Sequence, residues 1–332
     1  MPTINPIIIR KEGTGGGGGI NYTVDVFTSS GTYNKPADLD YAYALVVPGG
    51  AGGGAGRRGA AGANRGAGGA ANGGLVLYRV PESALPSSHC VIVGAGGAGA
   101  SGVTTDDTNG LVGGIGAASF FINDFPNIVL GSPISRSVAG ITFLRSFGGV
   151  SFQGFNTIPN SYLIATYGSL SPIFIFNASD NHRGNVSQNM SNPANLFSST
   201  SGGGQIRNTN VQEDAGDLAG FYDDTNNLID EIAGTAPETA AVQPTEFYTF
   251  GKFLARLFPW FDPDDADYNV GRGGLGGGCG DLDGTVAGFA GADALGYGAG
   301  GGGGGASTNG ANSGAGGDGS DGIVIIINVL KD

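Results

Sequence analysis

The chain closes on a long glycine run that delivers it into a single apolar strand. That junction limits the possible folds more than any other feature. From Tyr297 the sequence reads YGAGGGGGGASTNGANSGAGGDGSDG, then IVIIINV up to Val329, and no large side chain stands between Tyr297 and Ile323. The same arrangement occurs in reverse as ALVVPGGAGGGAG (Ala44 to Gly56) and CVIVGAGGAG (Cys90 to Gly99). Each time an apolar strand touches a glycine tract. Glycine accounts for 67 of 332 residues, against a usual share of about 7 %. It loses more backbone entropy on folding than any other residue, so a chain this rich in it needs a compensating gain or stays disordered.

Disordered chains combine low hydrophobicity with many charges. Here hydrophobic residues make up 40 % and charged residues only 13 %. The remaining source of gain is close backbone packing. Without Cβ atoms, extended threefold helices rising roughly 3.1 Å per residue can lie side by side and bond N–H to C=O. The expected fold is therefore mainly β with glycine-rich, extended, polyglycine II-like tracts anchored by strands. Collagen itself is excluded, because it needs glycine at every third position and abundant proline. Gly316, Gly319 and Gly322 keep that spacing, but the run from Gly300 to Gly305 does not, and only 15 prolines are present.

The net charge of −13 opposes nucleic-acid binding, which needs a basic footprint. No stretch reaches the roughly 18 apolar residues of a membrane span, so no membrane insertion is expected. The opening MPTINPIIIRKEGTGGGGG carries only a three-residue apolar run and does not read as a secretory signal. Cys90 and Cys279 allow one bridge at most; two buried free thiols is the plainer reading.

Four segments follow from the composition. Residues 1–19 form an arm: Ile4, Ile7, Ile8 and Ile9 precede a joint from Gly15 to Gly19 and are candidates for docking on a partner, a frayed terminus being the alternative. Residues 20–144 form the first part of a glycine-rich β lobe. Strand signals lie at Tyr22–Val26, Tyr41–Val47, Leu75–Val80, His89–Val93, Phe120–Ile122, Ile128–Leu130 and Ile141–Leu144. The tract from Gly49 to Gly74 carries Arg57, Arg58 and Arg65, the one basic cluster in a glycine context and a candidate surface contact. Residues 145–270 are expected to be an inserted lobe with short helices. SPIFIF (Ser171–Phe176) reads as a strand. Leu218, Phe221, Tyr222, Leu228, Ile229 and Ile232 share one helical face, ended by Gly234. A second helix is expected with Thr245 as cap, Phe247, Phe250, Leu254 and Leu257 inward, and Pro259 as stop. Phe174, Phe176, Phe258 and Trp260 serve either a subunit interface or the core of this lobe. Residues 271–332 close the glycine-rich lobe.

No catalytic, cofactor or metal site emerges. Gly94, Gly96 and Gly99 satisfy G-x-G-x-x-G after a strand, but a dinucleotide site needs a helix next. Gly102, Asn109, Gly110, Gly113 and Gly114 would break one. Gly251-Lys252 lacks the P-loop spacing, since Glu246 stands where glycine is needed. His89 and Cys90 are strand neighbours that point to opposite faces. The acidic run Asp262–Asp267 lacks the calcium-loop pattern and reads as a solvated turn.

FTSSGTYNKP, ALVVPGGAGGGAG, GGLVLYRV, VIVGAGGAG and GGDGSDGIVIIINV occur in that order. Together they resemble the glycine-rich domain of phage tail fibres and related virion proteins and, more loosely, the distal adhesins of T-even-like phages, whose tips are bundled polyglycine helices. The resemblance covers roughly residues 21–125 and 271–330. Tyr33 stands where that family commonly has tryptophan, and 145–270 has no counterpart in it. The resemblance implies a non-enzymatic virion protein without cofactors, assembled in the host cytoplasm: a fibre, spike or tip that contacts a host surface receptor, as a homo-oligomer (a trimer) joined to other virion proteins. Other readings are a capsid decoration or connector without a receptor, a glycine-rich cell-surface protein, and an enzyme using Gly94–Gly99 for a nucleotide.

Overall fold

The computed structural model describes residues 20–70, 75–122, 143–146, 151–152, 172–176, 201–222, 228–243 and 248–331. The principal strands are β1 (Tyr22–Phe27), β2 (Gly31–Asn34), β3 (Leu39–Val47), β4 (Leu75–Pro81), β5 (Ser88–Ile92), β6 (Ser119–Ile122), β7 (Phe143–Ser146), β8 (Pro172–Phe176), β9 (Leu218–Tyr222), β10 (Leu228–Ile232) and β11 (Ile323–Leu330). The one α-helix among the described residues is α1 (Phe250–Leu257). The protein is thus mainly β.

Five strands form one antiparallel sheet in the order β1-β11-β3-β4-β8, and β2-β5-β6-β7 form a second. The closing strand β11 reads IVIIINV because it is central and covered on both faces. Ile323, Ile325 and Ile327 point into a core shared with Tyr22, Val24, Val26, Leu45, Leu77 and the helix residues Phe250, Phe253 and Leu254. Val324 and Ile326 point the other way, into a core with Phe27, Val46 and Tyr78 of the same sheet and Tyr33, Val91 and Phe121 of the facing sheet. The result is three layers: four-stranded sheet, five-stranded sheet, helix. Fully burying each large aliphatic side chain contributes about 1.5–3 kcal/mol. One polar knot lies in the layer between the sheets. The buried Asn328 donates to Thr23 Oγ1 (3.1 Å) and Asp25 Oδ2 (2.9 Å), and accepts from the Tyr33 hydroxyl at 2.6 Å. Tyr33, at the family's usual tryptophan position, thereby ties the second sheet to the first.

The glycine tracts leave the sheets and run side by side. Their hydrogen bonds recur every three residues. Gly49, Gly52 and Ala55 donate to Ala117, Gly114 and Leu111. Gly50, Gly53 and Gly56 donate to Ser320, Gly317 and Gly314. Gly97 and Ala100 donate back to Gly50 and Gly53. The 298–306 tract is central, with six neighbouring segments. Its N–H groups at 301/304, 302/305 and 303/306 go to Ala51/Gly54, Ala292/Phe289 and Ser201/Gly204. Its carbonyls accept from Ser320, Gly317 and Gly314 on one side, from Gly274, Gly277 and Gly280 on another, and from Gly68 on the last. With neighbours all round, no side chain fits: a Cβ on Gly303 would lie 1.8 Å from the carbonyl oxygen of Gly68, and one on Gly302 2.0 Å from that of Leu275. This is why Gly300 to Gly305 lack the collagen spacing.

Two expectations are corrected. Residues 218–232 are not a helix: β9 and β10 pair antiparallel, Leu218 opposite Ile232 and Tyr222 opposite Leu228. Nor do the described residues of 145–270 stand apart as a lobe of their own. Strand β8 pairs with β4, residues 201–204 bond inside the glycine bundle, and α1 packs on the five-stranded sheet. The expected second helix exists, but Thr249 caps it, accepting from the Lys252 amide at 3.3 Å; Thr245 and Phe247 lie outside the described residues. Phe258 and Trp260 pack on the helix-side core. The strand expected at Ile128–Leu130 also lies outside the described residues.

Candidate contact surface

Outward rows of the tracts carry the side chains. On 94–103 the exposed row is Ala95, Ala98 and Ser101, while Gly94, Gly97, Ala100 and Val103 are buried. On 313–322 the outward residues are Ala315, Asp318 and Asp321. Asp318 and Asp321 accept from the amides of Gly99 (2.7 Å) and Gly96 (2.8 Å), standing in for a missing neighbour tract. The apparent dinucleotide motif is part of this bundle: Cβ atoms on Gly94, Gly96 and Gly99 would strike the carbonyls of Ala117, Gly319 and Gly316. No helix follows it among residues 100–122.

Five of the turns at which the tracts reverse gather at the pole of the bundle remote from the sheets: 57–65, 104–109, 207–211, 281–286 and 307–312. Each turn has one residue in the left-handed region: Gly62 (φ 78°), Asp107 (53°), Asn210 (56°), Gly284 (75°) and Gly310 (101°). Glycine, asparagine and aspartate tolerate that conformation best. At the opposite end of the sheets the described chain begins and ends. Tyr22 pairs with Val329, and the Leu330 amide donates to Asn21 O.

Side chains knit the turns to one another. Arg58 donates to Asp106 Oδ1 (2.6 Å), Thr104 O (2.6 Å) and Asn312 Oδ1 (3.1 Å). Asp106 also accepts from the Gly310 amide, and Asp107 from the Ala60 amide. Asn210 Oδ1 accepts from the Gly62 amide and from Arg65 Nη2. Arg65 Nη1 donates to Thr308 Oγ1, and Thr308 donates on to Asp281 O. Three turns therefore meet on Arg65, which is wholly buried without a carboxylate partner among the described residues; burial lowers its pKa from the ordinary value.

This corrects the expectation that Arg57, Arg58 and Arg65 form a contact surface. Arg58 and Arg65 are buried fasteners, and Arg57 is half-buried with Nη1 on Asn109. Charge normally keeps arginine at the surface, but here the guanidinium donors satisfy turn acceptors from remote parts of the chain. What the pole exposes is different: Thr104, Thr105, Asp106, Asp107 and Asn109 from one turn, Arg207, Asn208, Thr209 and Asn210 from another, with Asp283, Thr285 and Asn312 beside them. The sequence reading named none of them as a site, and Asn109 entered it only as a helix breaker.

Ile4, Ile7, Ile8 and Ile9 lie outside the described residues. Cys90 and Cys279 are both free thiols. Burial pushes the Cys279 thiol up to about 11. The acidic run is an exposed turn at Asp262, Asp264 and Asp267, with Asp262 accepting from Asp264 N; only Asp265 is buried, accepting from the buried Tyr22 hydroxyl. Among the described residues, no cluster of three or more His, Cys, Asp or Glu side chains is placed to hold a metal ion.

No curated protein matches this chain. A family model described as a glycine-rich domain matches residues 23–327, a run that takes in both sheets, the bundle and all five turns, and the chain therefore belongs to the glycine-rich domain family.

Proposed function

We propose that this chain is a non-enzymatic phage virion protein, a fibre, spike or tip whose five-turn pole contacts the host surface. Its tracts act as polyglycine II-like helices that hold the turns rigidly away from the particle. The polarity of the molecule carries the reading: five turns of the bundle sit together at one pole, cross-braced by Arg58, Arg65, Asp106 and Asn210, while residues 21 and 330 meet at the other. A braced end presenting hydroxyls, amides and carboxylates suits polar recognition, and loops on a rigid scaffold commonly carry binding. The described chain enters β1 at the opposite pole, and the stretch before it, with Ile4, Ile7, Ile8 and Ile9, is proposed to dock on other virion proteins.

The test is adsorption. Particles carrying Thr105→Ala, Asn208→Ala, Thr209→Ala and Asp283→Ala together are mixed with host cells, and unbound particles are counted. At least a tenfold loss of adsorption, with an unchanged melting temperature for the isolated chain, is expected. Normal adsorption would remove the contact role and leave a connector.

A further inference from the structure

Two turns of the pole carry the same tripeptide, Thr-Asn-Gly, as Thr108–Gly110 and Thr308–Gly310. Asparagine is among the thermolabile residues, and an asparagine before glycine is especially open to self-modification. The backbone nitrogen of the next residue attacks the side-chain amide, and a glycine there has no Cβ to obstruct the ring that forms. In an unfolded chain the two steps are chemically alike. The fold makes them different.

At Asn309 both reacting groups are engaged. Its Oδ1 accepts from the Asp107 amide at 3.1 Å, and its own amide donates to Gly59 O at 2.9 Å. The attacking group would be the Gly310 amide, which donates to Asp106 Oδ1 at 3.2 Å. Attack requires that nitrogen to lose its proton and turn negative, and a carboxylate beside it opposes the charge.

At Asn109 the arrangement is reversed. The residue is exposed, and its Oδ1 accepts from Arg57 Nη1 at 3.0 Å. Arginine only donates, so the atom facing it is the amide oxygen. A cation there draws electrons from the amide carbon and faces the oxygen on which charge develops during attack. The Gly110 amide has no hydrogen-bond partner among the described residues. The backbone is pinned on either side, Thr108 O accepting from Arg58 and Leu111 O from Ala55, but the peptide joining Asn109 to Gly110 carries no such bond. The bundle itself demands the glycine: a Cβ on Gly110 would lie 1.9 Å from the carbonyl oxygen of Ala55.

We propose that Asn109–Gly110 is a self-modification site, at which Asn109 converts to aspartate and isoaspartate with Arg57 as the oxyanion donor. The Gly110 nitrogen gives its proton to solvent and bonds to Asn109 Cγ, and the charge passes to Oδ1 beside Arg57. The Cγ–Nδ2 bond then breaks, and the departing nitrogen takes a proton from water and leaves as ammonia. Water opens the resulting cyclic imide. Opening at Cγ leaves aspartate, and opening at the backbone carbonyl leaves isoaspartate, whose main chain runs through the former side chain. The net change is amide plus water to carboxylic acid plus ammonia, with nothing oxidised or reduced. Either product adds a negative charge to the exposed pole, paired with Arg57.

The test is peptide mapping of the full chain kept folded at neutral pH, with the same chain in urea as reference. Conversion is read as the mass gain on replacing NH2 by OH, and isoaspartate as a separate chromatographic peak. In urea the two asparagines should convert at the same rate. In the folded chain Asn109 should convert at least about tenfold faster than Asn309, a smaller factor than a fully buried oxyanion donor supplies because water shares the site. Arg57→Met should remove most of that difference by slowing Asn109 and leave the Asn309 rate unchanged. Equal rates in the folded chain, a faster Asn309, or no conversion at Asn109 while the chain in urea converts would each overturn the proposal. So would a folded Arg57→Met chain that converts Asn109 as fast as the wild type. The wild-type comparison needs no variant, so it decides even where Arg57→Met fails to fold.

Discussion

The β-sandwich and the glycine bundle adjoin at residues 47–49 and 322–323, yet opposite means hold them together. In the sandwich, backbone bonds are routine and side chains decide the packing. Every residue of β11 from Ile323 to Val329 is buried, and its two faces fill two different cores. In the bundle, side chains are what must be absent. Its central run from Gly301 to Gly305 bonds to six neighbours through backbone alone, at spacings that leave no room for a methyl group. Glycine's conformational entropy is the cost of that arrangement; burial of paired N–H and C=O groups on every side offsets it. The sandwich therefore fails when a side chain is removed, and the bundle fails when one is added.

The largest expected effect comes from breaking the bundle at its centre. Gly302→Val should destabilise the protein by more than about 4 kcal/mol, read as lost soluble protein or a collapsed urea midpoint. Its Cβ would sit 2.0 Å from the Leu275 carbonyl, and backbone enclosed on all sides cannot move away. Ala95→Val, on an outward row of another tract, should change stability by no more than about 0.5 kcal/mol. Equal effects of the two valines would remove the distinction between rows, and with it the bundle.

Next comes the sandwich. Ile325→Ala leaves a cavity in the helix-side core and should cost about 2–5 kcal/mol, measured by the same urea titration. Arg65→Met sharpens the comparison, because this side chain braces turns rather than filling a core. It removes the donors to Thr308 and Asn210 and should cost about 1–3 kcal/mol. The loss should appear as faster hydrogen exchange in the turns, with the β11 amides unaffected. Uniformly faster exchange would mean that the turns and sheets unfold as one unit.

The smallest effect is alkaline. Burial pushes the Cys279 thiol in the bundle from 9.0 to about 11, and burial likewise pushes the Tyr22 phenol in the sandwich from 10.0 to about 12. Both groups are neutral when protonated, and the folded chain holds their protons more tightly than the unfolded chain. Their contribution is fully present below pH 9 and pH 10 respectively, and is lost as pH rises towards 11 and 12. Cys279→Ala should flatten the fall in melting temperature between pH 9 and 11 and leave the later fall, through Tyr22, in place. An unchanged slope would count against the buried thiol.

Much of this was readable in the sequence, because the bundle writes its geometry as a period. Gly110, Gly113 and Gly116 mark an inward row; Ala95, Ala98 and Ser101 mark an outward one; the unbroken run from Gly300 to Gly305 marks a tract with no outward row. The strands were equally plain, since IVIIINV can only be a strand buried on both faces or part of a buried helix, and so short a run behind a glycine tract favours the strand. The hairpin of β9 and β10 was misread because Leu218, Phe221, Leu228 and Ile232 also fit a helical face. The run DDTNN between its strands, residues 223–227, favours a turn through its short polar side chains, and Gly220 weakens a helix further.

The tertiary structure alone decided which residues the pole exposes. Arg58 finds Asp106 across 48 positions, and Arg65 finds Asn210 and Thr308 across 145 and 243. A guanidinium is placed in water or in the interior by the acceptors around it, and a linear pattern does not record which acceptors distant turns will bring. The sequence by itself determined that the backbone must pack closely, and along which rows, because a missing Cβ is a local property of each residue. Which row meets which, which arginine is enclosed and which edge is left open depend on the meeting of tracts far apart in the chain, and only the folded structure settles them.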